Sequence, residues 1–137
     1  IDAHSTEFDT ETKSHVIDIL EGQKTIIYEN RYGGTMRLGS YPASIKEGTI
    51  VWNLYKGEKV VYERHRHRYE VNPKFISILE KEGLVFSGSS QDGMLMEFLE
   101  LPKHKYFVAT QAHPEFKSRF GKPAPLFDGL IKAIVTD

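Results

Sequence analysis

The chain has 137 residues, a length that suits one domain, and a formal net charge of −1. This bulk charge does not indicate nucleic acid or an anionic membrane as a partner. The chain has no cysteine, which excludes disulfides, thiolate metal sites and any thiol chemistry that another segment does not supply. No apolar run approaches the length of a membrane span, and no signal peptide is recognisable.

The first third of the chain favours short extended segments. Residues 16–20 and 25–28 are rich in β-branched residues, and the turn residues 21–23 between them predict a hairpin. Residues 35–38 predict a strand. Residues 48–55 are ambiguous, because their apolar positions fit a helical face whereas their β-branched content favours a strand.

Residues 59–69 predict an extended segment. One face would carry Val60, Tyr62, Arg64, Arg66 and Arg68, and the other Val61, Glu63, His65, His67 and Tyr69. The clearest helix start follows, with Asn72 as N-cap and Pro73 at the first helical position. We expect this helix to bury Phe75, Ile76 and Leu79 and to end at Gly83.

The last part of the chain mixes strands and helix. Residues 84–86 and 94–101 predict two strands, joined by a loop at residues 87–90 and a turn at Asp92-Gly93. The dense apolar run at residues 106–110 predicts a strand that is buried on both faces. Residues 125–135 carry apolar residues at helical spacing and should cover the sheet: Leu126, Leu130, Ile131 and Ile134. The fold class predicted is α/β with a mixed sheet and added antiparallel hairpins.

His113-Pro114-Glu115 follows directly on this last predicted strand. Active sites of α/β sheets gather at the carboxyl ends of strands. In an extended chain the side chains of His113 and Glu115 point the same way, and a carboxylate beside a His fixes its tautomer and stabilises the imidazolium. This arrangement is what a general base serving a nucleophile requires, although a solvated His-Glu pair has the same spacing.

The run from Glu63 to Glu70 is the densest charged segment. It fits a solvated edge strand whose charges deter aggregation, or an Arg-built site for carboxylate or phosphate. Metal binding by His65 and His67 is disfavoured, because cations flank both side chains, and we assign no metal site. Residues 33–39 are glycine-rich but match no phosphate-binding motif, and residues 5–8 fit either a helix cap or a loop lining a pocket.

Taken together, these segments resemble the CTP synthase family. The resemblance rests on four stretches in the family's order: Ser5-Thr6-Glu7-Phe8-Asp9, Gly33-Gly34-Thr35-Met36-Arg37-Leu38-Gly39, the run from Glu63 to Asn72, and Gln111-Ala112-His113-Pro114-Glu115-Phe116. His-Pro-Glu-Phe is shared by many glutamine amidotransferases, whereas the two middle stretches are far more specific to CTP synthases.

The resemblance implies an incomplete class I glutamine amidotransferase fold over residues 1–137. His113 and Glu115 match the family's catalytic His and Glu, and Glu7 and Arg68 match positions that hold L-glutamine. The family hydrolyses glutamine and passes the ammonia to UTP, which ATP activates, to give CTP. The resemblance also implies a synthase domain in the same chain that binds ATP and magnesium. It further implies activation by GTP, a homotetramer and a cytoplasmic location. No cofactor is expected on this segment itself, nor is nucleic acid or a membrane expected as a partner.

The family's Cys nucleophile and oxyanion hole precede the stretch matching residues 5–8. The chain begins at Ile1 and reads as a piece of a longer protein, so we expect it to be inactive alone. One alternative is the amidotransferase domain of another synthase, such as GMP synthase, although that reading leaves the Arg/His-rich run unexplained. The other alternative is a non-catalytic glutamine-binding or regulatory module, which the absence of cysteine favours.

Overall fold

The computed structural model describes residues 2–19 and 36–136. The predicted hairpin turn at residues 21–23, the strand at 25–28 and residues 33–35 of the glycine-rich stretch lie outside this part. The described elements are, in order, β1 (Ala3–Ser5), β2 (Ser14–Asp18), β3 (Arg37–Ile45), α1 (Ile50–Leu54), β4 (Val60–His67), β5 (Glu70–Val71), α2 (Pro73–Lys81), β6 (Val85–Ser89), β7 (Met96–Glu100), β8 (Val108–Thr110), a 3₁₀ turn (Pro114–Phe116) and α3 (Pro125–Val135).

The strands form two sheets. In the small sheet, of order β1-β2-β5, β1 runs parallel to β2 and β2 runs antiparallel to β5. The large sheet has the order β4-β3-β6-β7-β8 and is antiparallel throughout. The predicted mixture of helices, mixed pairing and antiparallel hairpins is therefore confirmed.

One face of the large sheet packs against α1 and α3. The buried cluster there combines residues of β3, α1, β4, β7 and α3: Ala43, Ile45, Val51, Tyr55, Val61, Phe98 and Leu126. The ambiguous segment at residues 48–55 is a helix. The Thr49 hydroxyl caps it by accepting from the Trp52 amide, and the buried Glu100 carboxylate accepts from the amides of Ile50 and Val51 at 2.9 and 3.1 Å. These three amides have no partner within the first turn of a helix, so the two side chains decide the local structure.

Two sequence predictions are confirmed closely. Strand β4 alternates as expected, with Val61, Glu63 and His65 buried and the residues between them exposed. Helix α2 begins after Asn72, whose side chain accepts from the Lys74 amide, and it carries Pro73 at its first position. The apolar face of α2, formed by Phe75, Ile76 and Leu79, is only half-buried, and no residue of this helix is fully buried within the described part of the chain.

The predicted loop at residues 87–90 is wrong for its first three positions. Ser87, Gly88 and Ser89 belong to β6. A Cβ on Gly88 would lie 2.7 Å from the Phe98 ring, so the neighbouring strand requires a glycine here. The turn begins only at Ser90, and Gly93 completes it with a φ of 75°.

The two apolar C-terminal segments are less buried than predicted. Strand β8 is limited to Val108–Thr110 and lies at the end of the described large sheet, with Ala109 exposed. Helix α3 does form, but it buries only Leu126 and Gly129, whereas Ile131 and Ile134 are 58% and 63% exposed. The prediction that α3 covers the sheet therefore holds at Leu126 but not at Ile131 and Ile134, because apolar spacing defines a face but not what packs on it.

A buried network of charges joins the two sheets. Arg37 donates to Glu70 of the small sheet at 3.3 Å and to Glu97 of the large sheet at 2.6 Å. Glu70 and Glu97 are 0% and 1% exposed. His65 places Nε2 2.7 Å from Glu97 and Nδ1 3.0 Å from the Glu63 carbonyl oxygen. Each ring nitrogen of His65 therefore lies within hydrogen-bond distance of an oxygen atom, which fixes the orientation of the imidazole.

Several side chains contact the two carboxylates of this network. Arg37 donates to both Glu70 and Glu97, His65 contacts Glu97, and His67 lies 2.9 Å from Glu70. Burial acts to raise the pKa of Glu97, but the hydrogen bonds and charges of His65 and Arg37 outweigh it and hold that pKa below its usual value. The carboxylate is therefore ionised in the folded protein.

Replacing Glu97 by Gln tests the network through the pH dependence of stability. The pKa of Glu97 is lowered from 4.5 on folding, so its contribution is present above that pH and is lost as the pH falls through the folded-state pKa. We expect Glu97→Gln to lower the free energy of unfolding by about 3 kcal/mol at neutral pH. The difference should shrink below about pH 4. Urea denaturation measures it, with the exposed Glu47→Gln as control, and a pH-independent difference would contradict the assignment.

Candidate active site

The His113–Glu115 pair lies in the turn that follows β8. Thr110 ends the strand, and the 3₁₀ turn Pro114–Phe116 begins four residues later. The His113 amide donates to the Arg64 carbonyl oxygen of β4 at 2.8 Å, which fixes the start of the turn on the large sheet. The His113 Nδ1 lies 2.7 Å from Glu115 Oε1, so the predicted pairing of these two side chains is confirmed.

The pair leaves one imidazole nitrogen available. The hydrogen bond from His113 holds the pKa of Glu115 below its usual value, so Glu115 is ionised at neutral pH and can only accept. Nδ1 must then carry the hydrogen. Nε2 makes no hydrogen bond within the described residues, and the Phe116 ring stacks on the imidazole at 5.3 Å between centroids. A neutral His held in this tautomer can accept a proton at Nε2.

A cavity of about 640 Å³ lies between the two sheets, close to this turn. Glu7 and Arg68, the two residues predicted to hold an amino acid, both line it. The remaining lining residues come mainly from β2, β4 to β8 and the segments between them: Ile17, Met36, Arg66, His67, Tyr69, Val71, Phe86, Met96, Glu97, Phe98, Leu99, Ala109, Thr110 and Gln111. His113 is not part of the lining, which ends at Gln111, two residues before it.

The local chain geometry explains how Glu7 and Arg68 reach the cavity. Residues 5–8 form a turn after β1, in which the Ser5 carbonyl oxygen accepts from the amides of Phe8 and Asp9, both at 3.0 Å. This stretch is therefore a loop lining a pocket and not a helix cap. Arg68 lies in the two-residue connection between β4 and β5, where it lines the cavity together with Arg66 of β4.

Gln111 links the Arg68 region to the His113 turn. Its side-chain amide donates to Glu70 Oε2 at 3.2 Å and lies 3.4 Å from the Tyr69 carbonyl oxygen. The same Glu70 belongs to the buried charge network. The segment that bears His113 is thus tied to the connection that bears Arg68, although the two are more than forty residues apart in sequence.

The alternative readings of the charged run have separate outcomes. Strand β4 does lie at the edge of the described large sheet, as the edge-strand reading predicts. His65 and His67 bind the carboxylates of Glu97 and Glu70. No group of three or more His, Asp or Glu side chains in residues 2–19 and 36–136 is arranged to hold a metal ion.

Two residues beside the site were missed by sequence reasoning. Lys117, directly after the 3₁₀ turn, donates to Glu63 Oε1 at 3.2 Å and to the Tyr62 carbonyl oxygen. The Tyr55 hydroxyl also donates to Glu63 Oε1, at 3.1 Å, and burial together with Glu63 raises the pKa of Tyr55, so this donor stays protonated. The inward position of Glu63 in the alternation of β4 was the one available signal, because a buried carboxylate needs partners.

No helix in the described part of the chain is long and apolar enough to cross a membrane.

The chain also matches known proteins. A family model for class-I glutamine amidotransferases matches residues 15–133. The CTP synthase of Methanocaldococcus jannaschii is 62% identical over 131 residues, which cover 96% of this chain and 24% of that protein. The CTP synthase of Pyrococcus furiosus is 57% identical over 132 residues, again covering 96% and 24%.

A solved structure matches over the full fold. It is described as the Trypanosoma brucei CTPS glutaminase domain with bound acivicin, and it superposes with a TM-score of 0.87 at 34% identity. The match covers 99% of this chain and 52% of that chain. The chain thus spans about a quarter of the length of the curated relatives it matches and about half of this structural neighbour. It belongs to the class-I glutamine amidotransferase family.

Proposed function

We propose that this chain is the part of a CTP synthase glutaminase domain that supplies the general base, the carboxylate that orients it and the residues that bind glutamine. The observation that carries the proposal is the His113–Glu115 pair, with Nδ1 2.7 Å from the carboxylate and Nε2 without a partner in the described residues. The cavity lined by Glu7 and Arg68 provides a substrate site beside it. The relatives matched over nearly the whole chain are CTP synthases.

His113 acts as base and then as acid in this reaction. Its Nε2 takes the proton of a cysteine thiol, and the thiolate attacks the side-chain carboxamide carbon of glutamine. The imidazolium, stabilised by Glu115, then protonates the departing nitrogen, so that ammonia leaves and a thioester forms. Water, deprotonated by the same Nε2, hydrolyses the thioester to glutamate and the free thiol. The sequence contains no cysteine, so polypeptide outside these 137 residues supplies that thiol.

The cavity suits the two charged groups of an amino acid. The planar guanidinium of Arg68 can bind the α-carboxylate through two hydrogen bonds, and Glu7 can pair with the α-ammonium. Glu7 is exposed and lies in the turn that follows β1 of the small sheet, whereas the His113 turn is attached to the large sheet. A substrate bound between them is therefore oriented by both sheets, which lowers the entropic part of the barrier.

The remaining expectations concern the whole protein. The proposal places ATP, UTP and magnesium on a synthase domain of the same chain, and ammonia produced here is transferred to the activated UTP to give CTP. GTP as activator, a homotetramer and a cytoplasmic location remain predictions from the family. A non-catalytic, glutamine-binding module remains the second candidate, and the cysteine-free sequence is the observation that favours it.

Removing the base should separate the two activities of the full-length enzyme. We expect His113→Ala to lower glutamine-dependent CTP synthesis by on the order of a million-fold, because the catalytic groups act as a unit. Synthesis from free ammonia should be unchanged, since that step bypasses His113. Coupled kinetic assays with glutamine and with ammonium salts measure both, with the exposed His104→Ala as control. Intact glutamine-dependent synthesis in His113→Ala would favour the non-catalytic module.

The 137-residue chain alone should release no ammonia from glutamine. His113 has no thiol to deprotonate in this chain, and solvent water is a poor nucleophile toward an amide. We expect the rate to equal the buffer background when homogeneous chain is incubated with glutamine and ammonia is quantified enzymatically. Steady release that scales with chain concentration would show that no external cysteine is needed.

Glu7 should contribute to substrate binding and not to the chemical step. In the full-length enzyme, Glu7→Gln keeps the shape of the side chain but removes its charge, and we expect the KM for glutamine to rise by about tenfold to a hundredfold. The kcat should change little, because the ammonium contact is equally strong in the ground state and transition state. Glu11→Gln, in the same exposed loop, is the control. A fall in kcat at unchanged KM would contradict this role.

A further inference from the structure

The turn that carries His113 and Glu115 is attached to β4 at both of its ends. At the start, the His113 amide donates to the Arg64 carbonyl oxygen at 2.8 Å. At the end, the Lys117 ammonium donates to Glu63 Oε1 at 3.2 Å and to the Tyr62 carbonyl oxygen. The residues between them make no further hydrogen bond to β4 in the described part of the chain.

We propose that Lys117 is a positioning residue for the reaction, acting through Glu63. The inference rests on the proposed function, because it assigns Lys117 the task of holding the His113 turn in its working orientation. Lys117 itself touches neither His113 nor Glu115 through a hydrogen bond. It fixes the C-terminal end of the turn, and the direction of the imidazole follows from that.

The anchor at Glu63 is rigid. Glu63 is 3% exposed, and the Tyr55 hydroxyl holds the same carboxylate oxygen at 3.1 Å. A charge-assisted hydrogen bond to a buried carboxylate is stronger than one to an exposed carboxylate, because little water competes for it. Lys117 is half-exposed, with 47% of its side chain accessible, so its replacement removes the tie without opening the core.

The turn can transmit this restraint because it is a compact unit. The amides of Lys117 and Ser118 both donate to the Pro114 carbonyl oxygen at 3.1 Å, and the Phe116 amide donates to the His113 carbonyl oxygen at 3.2 Å. A restraint at Lys117 therefore limits the movement of the whole turn. Glu115 cannot serve as an anchor, because it is exposed and its side chain bonds only His113 within the described residues.

There is also space for the turn to move when the hydrogen bonds of Lys117 are removed. A cavity of about 630 Å³ is lined by Lys117 and Glu63, together with Lys122 and Pro123. Protein interiors are otherwise closely packed, so a side chain facing such a space is held by its hydrogen bonds more than by steric contact. Without the ammonium, the C-terminal end of the turn loses its hydrogen bonds to β4.

The test uses the full-length enzyme with Lys117→Met, Lys117→Arg and, as matched control, Lys122→Met. Lys122 lies in the following loop, is exposed, and its side chain makes no hydrogen bond in the described part. We expect Lys117→Met to lower the kcat of glutamine-dependent synthesis by about tenfold to a hundredfold, the range for a misplaced catalytic group. The KM for glutamine and ammonia-dependent synthesis should change less than about twofold, and Lys117→Arg should restore most of the rate.

A double variant shows whether the effect passes through Glu63. Glu63→Gln keeps the side chain's shape, and we expect Lys117→Met combined with Glu63→Gln to be no slower than Lys117→Met alone. Unchanged kcat in Lys117→Met would overturn the inference, as would an equal loss of ammonia-dependent synthesis, which would indicate general unfolding. If His113→Ala keeps full glutamine-dependent synthesis, the proposed function fails as well. If only Lys117→Met is silent, the proposed function stands and this inference alone fails.

Discussion

The buried pairing of Arg37 with Glu70 and Glu97 is the interaction on which the rest of the site depends. It joins a strand of the small sheet to strands of the large sheet, at 3.3 and 2.6 Å. Burying these charges costs desolvation energy, which the attraction between Arg37 and the two carboxylates must offset. The ion pairs fix the position of the two sheets relative to each other. The small sheet, which precedes Glu7, and the large sheet, which leads to His113, cannot slide past each other without breaking a buried ion pair.

Strand β4 serves this framework and the site at the same time. Its inward side chains, Glu63 and His65, bind other buried groups, and its backbone supplies the acceptors for the His113 amide and the Lys117 ammonium. Arg68, in the connection that follows β4, lines the cavity. The two-residue period of the strand separates buried from exposed charges in a segment where nearly every residue is ionisable.

The sequence predicted those features that depend on neighbours in the chain. The alternation of β4, the Asn72 cap and the His113–Glu115 pair are local patterns, and the structure confirms all three. The segment at residues 87–90 was misjudged because Ser and Gly are typical of loops, whereas here Phe98 of the next strand leaves no room for a side chain. The Lys117–Glu63 contact spans 54 residues, so no local pattern could indicate it.

The exposure of the His113–Glu115 pair bears on how the proposed reaction proceeds. Their side chains are 38% and 51% exposed, yet proton transfer from a thiol is assisted by a site that excludes water. Apolar residues of α3, such as Ile131 and Ile134, are also more than half exposed. Under the proposed function, the polypeptide that brings the cysteine must also shield the imidazole, so a free thiol added in solution cannot replace it. The described residues already pair the base with Glu115 and attach its turn to β4, so under the proposed function that polypeptide has to place the thiol beside Nε2.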